Sequence, residues 1–288
     1  MIKWIGLLFC IPCCFCTCKQ TETHTSNLSE QSATTSMSGN QNEAVIRDTV
    51  TAHNYTELTN LIRSYRQINL LGKDYEIEDA DKSSLRIENI HHLDIIGEQS
   101  TRIIGASEAV VVSMEGSNNI SISNLTLISN PEEQQQCQGA VMYLTNSSDV
   151  SLDKIKIVGD GSTGLYTKKV RGLELSNSEV TGCDCLIFEL EDSQDCLFDN
   201  VLFSGNKLAT SVLGGFTEST HDVTFYDCRF IDNEPASVGN PAFNFAYNSE
   251  KFPVTMTRCI FKNNKGFKWY GDQINLIDCD IDTADFVE

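Results

Sequence analysis

The residues best equipped for chemistry lie between positions 143 and 192. Lys168, Lys169 and Arg171 form the densest basic cluster of the chain. Asp184, Glu189, Glu191 and Asp192 follow shortly after. A basic group can take a proton from carbon beside a carboxylate, and grouped carboxylate oxygens can hold a calcium ion, Ca2+. Lys168 and Arg171 are therefore the catalytic candidates, and Asp184, Glu189, Glu191 and Asp192 the candidate metal ligands. The plainer reading of the same residues is a solvated ladder of ion pairs. Aromatic residues run among the acids: Tyr143, Tyr166, Phe216 and Tyr270, with Glu189 between them. Aromatic faces suit the apolar faces of sugars, and acids suit their hydroxyls. These five are the candidate ligand-binding residues. Ordinary cross-strand pairing on a β surface would use the same side chains. His91, His92 and His221 have no partners at metal-ligand spacing.

What must position these groups is a repeat. NISISNLTL (119–127), DVSLDKIKI (149–157), GLELSNSEV (172–180), DCLFDNVLF (195–203), DVTFYDCRF (222–230), PVTMTRCIF (253–261) and QINLIDCDI (273–281) share one pattern, begun less completely by HLDIIG (92–97). Two apolar residues stand at i and i+2, a turn residue at i+4 and another apolar residue at i+7. The period of two is that of strands, and self-similarity at 20 to 31 residues marks a solenoid. Further alternating runs lie between these segments: AVVVSM (109–114), AVMYL (140–144), GLYT (164–167), CLIFEL (185–190) and AFNFAY (242–247). Each coil thus has at least two short strands. The turn column reads Gly97, Asn124, Lys154, Asn177, Asn200, Asp227, Arg258 and Asp278. Asn and Asp tolerate left-handed backbone, and their amides can bond along the stack. One place further on, Cys228, Cys259 and Cys279 would be neighbouring thiols, and they read as small hydrophobes in a buried column. Leu58, Leu61, Ile62 and Tyr65 predict a helix over 55–65 that caps the first coil.

The ends and the charge set the context. Lys3 precedes an uncharged apolar run, Trp4 to Thr17, and the chain turns polar after Cys18. That run is shorter than the ~20 residues that span a bilayer, and it reads as a secretory signal. It resembles the bacterial lipoprotein type, with Cys18 as the lipidated residue. Residues 19–50 are polar and read as a disordered tether; residues 51–288 are the folded domain. Of 12 cysteines, five lie at or before position 18. The remaining seven are an odd number, and Cys183 and Cys185 are too close along an extended strand to pair without strain. The formal net charge of −19 repels phosphate backbones and argues against nucleic acid as a partner.

The segments quoted above resemble the right-handed parallel β-helix repeat family, the fold of pectate lyases and their relatives, over about residues 50–282. The resemblance implies an all-β fold: a right-handed parallel β-helix of about 8–9 coils with a short N-terminal capping helix. It also implies a substrate lying along the outside of one strand column, here the column that precedes the quoted segments. Polygalacturonase and pectinesterase arrangements of aspartates have no counterpart, so no family catalytic residue carries over. The expectation is an exported, lipid-anchored protein of the cell envelope that binds polysaccharide or another surface glycan without catalysis. A polysaccharide lyase using Lys168 or Arg171, and a purely structural surface protein, are the alternatives.

Overall fold

The computed structural model describes residues 48–77, 84–105, 110–129, 139–210, 212–217, 219–245, 254–268 and 274–282. The signal segment, Cys18 and all but the last three residues of the tether lie outside these, as do Cys137 and Tyr270.

The described chain is a parallel β-solenoid with three strand columns. The first runs from Asp48–Ala52 to Asn275–Ile277 and the second from Asp74–Glu76 to Asp280–Ile281. All the segments of the quoted repeat lie in these two columns. The alternating runs between them build the third column of seven strands, from Leu85–Glu88 to Phe243–Phe245. Between those two strands the chain completes about six turns through all three columns. This is fewer than the expected 8–9 coils, because at both ends the described residues add strands to the first two columns only.

The corner between the first and second columns is a single residue. Asn124, Lys154, Asn177, Asn200, Asp227, Arg258 and Asp278 all hold φ between 49° and 56°. This left-handed conformation costs most residues roughly 1–2 kcal/mol and is mildest for Asn and Asp. Arg258 offsets it by a forked pair with Asp227 and by lying 4.0 Å over the Tyr226 ring. Gly97 heads the column for another reason: a Cβ there would come within 2.6 Å of the Asn124 carbonyl. At a second corner His92, Asn119, Asp149, Asp195 and Asp222 are left-handed too.

Inside, identical positions stack. Phe198 lies on Phe225 at 4.5 Å, and Phe203, Phe230 and Phe261 follow one another at 4.6 Å. Each buried ring contributes about 1.5–3 kcal/mol. Polar positions stack as well. Asn206, Asn233 and Asn264 are fully buried, and each amide donates to the next along the column (2.7 and 2.9 Å). Of the expected thiol column Cys228 and Cys259 are fully buried, and Cys279, on the last described coil, is only partly buried.

The helix is shorter than predicted, Tyr55–Leu61. Asn54 caps it by accepting from the Glu57 amide at 2.9 Å, and Leu58 is buried in the core. It ends because the chain turns extended at Ile62 and left-handed at Tyr65 to enter strand Arg66–Leu70. The first strand begins at Asp48, three residues before the expected domain boundary.

The buried amide ladder should matter more than the exposed one. Asn233→Ala removes the amide that donates to the Phe203 carbonyl and to Asn264 Oδ1 and that accepts from Asn206, a loss of about 2–4 kcal/mol. Asn200→Ala, on the exposed ladder, should cost about 1 kcal/mol. Urea unfolding of both variants measures the difference.

Candidate functional site

The outer face of the third column carries two rows of side chains. In the first, Ser113, Tyr143, Tyr166, Glu189, Gly215 and Asn244 stand on successive coils. In the second stand Glu88, Glu115, Thr145, Lys168 and Glu191. The two-residue period of each strand puts both rows on one face, and the parallel register repeats them from coil to coil.

Tyr143 and Tyr166 are stacked as expected, with ring centroids 4.7 Å apart and planes 7° from parallel. The Tyr166 hydroxyl donates to Oε2 of Glu191, and Lys168 Nζ meets the other oxygen at 2.6 Å. These two donors, the lysine first, hold the Glu191 carboxyl below its usual range. Burial and the same carboxylate push the Tyr166 phenol up, so it stays protonated. The hydrogen bond to Glu191 likewise pushes Lys168 up. Glu189 behaves oppositely to Glu191. It is half-buried between Tyr166 and the Gly215 backbone, and burial first, then the charge of Glu191, raises its carboxyl.

The basic cluster is not one site. Lys168 faces outward on the third column, Lys169 is a left-handed corner residue, and Arg171 opens the first column, where it pairs with Asp195 at 3.1 Å. The calcium quartet is not assembled either. Glu189 and Glu191 share a face, but Asp192 is a corner residue with φ 49° and Asp184 lies in the connection before the strand, where Asp160 is its acidic neighbour. Among the described residues no three His, Cys, Asp or Glu side chains form a group able to hold a metal ion.

Phe216 is the clearest correction. It is in register with Leu190 and Phe245, is buried, and packs on Phe245 at 5.0 Å and Phe188 at 5.6 Å. A one-residue difference in register moves a side chain to the other face of a strand. The outward place belongs to Gly215, which the sequence reading passed over. A Cβ on Gly215 would meet Glu189 Cγ at 3.8 Å and nothing else within 4 Å, so the glycine leaves a gap of side-chain size beside Glu189, although its own backbone is buried. Paired glycines inside a strand are the signal for such a gap. The first of them, Gly214, exists for packing: a Cβ there would run into the Phe188 ring.

The family described as right handed beta helix region matches residues 110–281. The chain belongs to this family. Right-handed β-helix structures similar to it include the pectin methylesterase of Aspergillus niger (12% identity over 81% of this chain and 83% of that one, TM-score 0.44). A surface adhesin of Streptococcus pneumoniae is 11% identical over 81% of this chain and 66% of its own, with TM-score 0.46. A pectate lyase of Bacillus sp. N165, solved with trigalacturonate, is 12% identical over 80% and 82%, with TM-score 0.38. At these identities the likeness is one of fold and carries no argument about activity. No curated protein matches the chain.

The cysteines of this β-helix resolve into two kinds. Cys183, Cys196, Cys228, Cys259 and Cys279 are free. Cys185 is disulfide-bonded.

The raised carboxyl of Glu189 gives a signed prediction. A folded-state value above the unfolded one means that stability falls as pH rises through the interval between them. Glu189→Gln removes that penalty. The variant should melt above wild type at neutral pH, and the two melting curves should converge once the pH falls below the ordinary carboxylate range.

Proposed function

We propose that this protein is an exported β-helix protein, lipid-anchored through Cys18 at the cell envelope, which binds a glycan on the outer face of its third column without cleaving it. The observation that carries the reading is the stacked pair Tyr143–Tyr166 with Lys168, Glu189 and Glu191 beside it. Stacked at 4.7 Å, the two rings turn faces to one another and offer a sugar a row of apolar ring edges. The flanking acids and ammonium offer hydrogen bonds to hydroxyls.

Export is supported by the apolar run that stops at Cys18 and by the disulfide at Cys185, since such bonds persist in oxidising compartments. Binding without cleavage is supported by the state of the basic candidates. A base must be free of its proton at the working pH, and Lys168 is held protonated by Glu191. Arg171 is engaged with Asp195 on another column.

One observation favours a catalytic reading. Glu189 and Glu191 stand two residues apart with their carboxyls shifted in opposite directions, the pattern of acid and base partners. In that reading the protein is a polysaccharide lyase and Glu189, whose raised carboxyl is the more basic of the two carboxylates once ionised, takes the proton in place of Lys168.

The purified protein is incubated with acidic and neutral polysaccharides, with and without Ca2+, and products are read by mass spectrometry. The expected result is intact polysaccharide that co-sediments with the protein, with affinity for at least one polysaccharide of the panel about tenfold weaker in Tyr166→Ala. Unsaturated fragments, lost in Glu189→Gln, would establish the lyase instead. Retention equal in wild type and Tyr166→Ala would remove the tyrosine strip as the site.

A further inference from the structure

A second groove runs along the corner between the first and second columns, on a different face from the tyrosine strip. It encloses about 700 Å³ and extends from Gln99 to Arg229. Its position follows from the one-residue corner. The left-handed residues Asn124, Lys154, Asn177 and Asn200 stand on consecutive coils and project along one edge. Thr126, Lys156, Glu179, Leu202 and Arg229 stand on consecutive coils along the other.

The chemistry of this groove is unlike that of the chain as a whole. In a protein of formal net charge −19, its lining holds Lys154, Lys156 and Arg229 against one acid, Glu179. Lys156 meets Glu179 at 3.0 Å and Lys154 meets Asp153 at 3.4 Å. Arg229 is exposed and has no ion pair among the described residues. At ~4.8 Å per coil, Lys156 and Arg229 are about 14 Å apart along the stack. The amides between them point one way: Asn200 donates to Asn177 (3.0 Å), and Asn177 donates to Asp153 (2.8 Å). Each carboxamide keeps a second N–H outside this chain of bonds.

The backbone decides what kind of chain fits. The amides of Asn177, Asn200, Leu202 and Arg229 all donate to carbonyls of neighbouring coils. No sheet edge is open along the groove, so an extended peptide would find no main-chain partners there. What the groove offers is side chains alone: cations at intervals with amides between. That is a match for an extended ligand with many hydroxyls and periodic negative charge.

We propose that this groove is a second glycan site, which takes an acidic polysaccharide running parallel to the stack. Its carboxylates or sulfates pair with Lys154, Lys156 and Arg229, and its hydroxyls bond the amides of Asn177 and Asn200. Glu179 opposes it, competing for Lys156.

The test uses end-labelled polygalacturonate oligomers, and the same oligomers methyl-esterified, in fluorescence anisotropy with the full chain. The acidic probe should bind, more weakly as salt rises, and the neutral one should bind at least about tenfold less tightly. The triple variant Lys154→Ala, Lys156→Ala, Arg229→Ala should lose about tenfold in affinity for the acidic probe. Glu179→Gln should bind it more tightly than wild type, a gain that misfolding cannot mimic. Tyr166→Ala should leave this binding unchanged, which separates the groove from the tyrosine strip. Equal binding by the triple variant and wild type, loss of binding in Tyr166→Ala alone, or no binding of the acidic probe would overturn the proposal.

Discussion

Every coil of this protein must place its corners directly above those of the coil before it. Parallel hydrogen bonds between coils fix the register, and the register then stacks each side chain on its counterpart. The left-handed corners are how a short chain satisfies that demand, because one such residue turns the strand without adding length. Stacked phenylalanines, buried thiols and the Asn206–Asn233–Asn264 ladder are consequences of the same register. A coil alone could bury none of them, so stability resides in the interfaces between coils.

The same constraint builds the surface. Tyr143 reaches Tyr166 because their strands are in register, and Tyr166 and Lys168 reach Glu191 one coil further on for the same reason. Charges so aligned neutralise one another unless a position is left empty. Gly215 is such a position, and beside it stands the carboxyl that burial has shifted upward. The ladder of pairs is interrupted at a glycine on the third column and at Arg229 on the second, which has no ion pair among the described residues.

Much of this was legible in the amino-acid sequence. The segments of the quoted repeat became the first two columns, the residues at i+4 became the left-handed corner from Asn124 onward, and the tyrosines stacked. Those features depend on a fixed spacing within one segment. The third column was harder, because loops of unequal length precede its strands. Phe216 was assigned outward there, and the two preceding glycines carry no apolar period to correct it. Lys168 and Arg171 were grouped by nearness in sequence, although a corner at Lys169 sends them to different columns. The acids from Asp184 to Asp192 were divided by the same geometry. The buried amides were missed, yet they left a trace: each follows a left-handed residue, Gly205, Asp232 or Asn263.

The central claim is that a glycan lies on the Tyr143–Tyr166 strip. Nuclear magnetic resonance of the protein with isotope-labelled tyrosine rings, titrated with soluble acidic and neutral oligosaccharides, tests it residue by residue. The account predicts that the ring signals of Tyr143 and Tyr166 move together with one of these ligands while those of Tyr65 and Tyr226 stay in place. Saturable binding that leaves the Tyr143 and Tyr166 signals unmoved would contradict it.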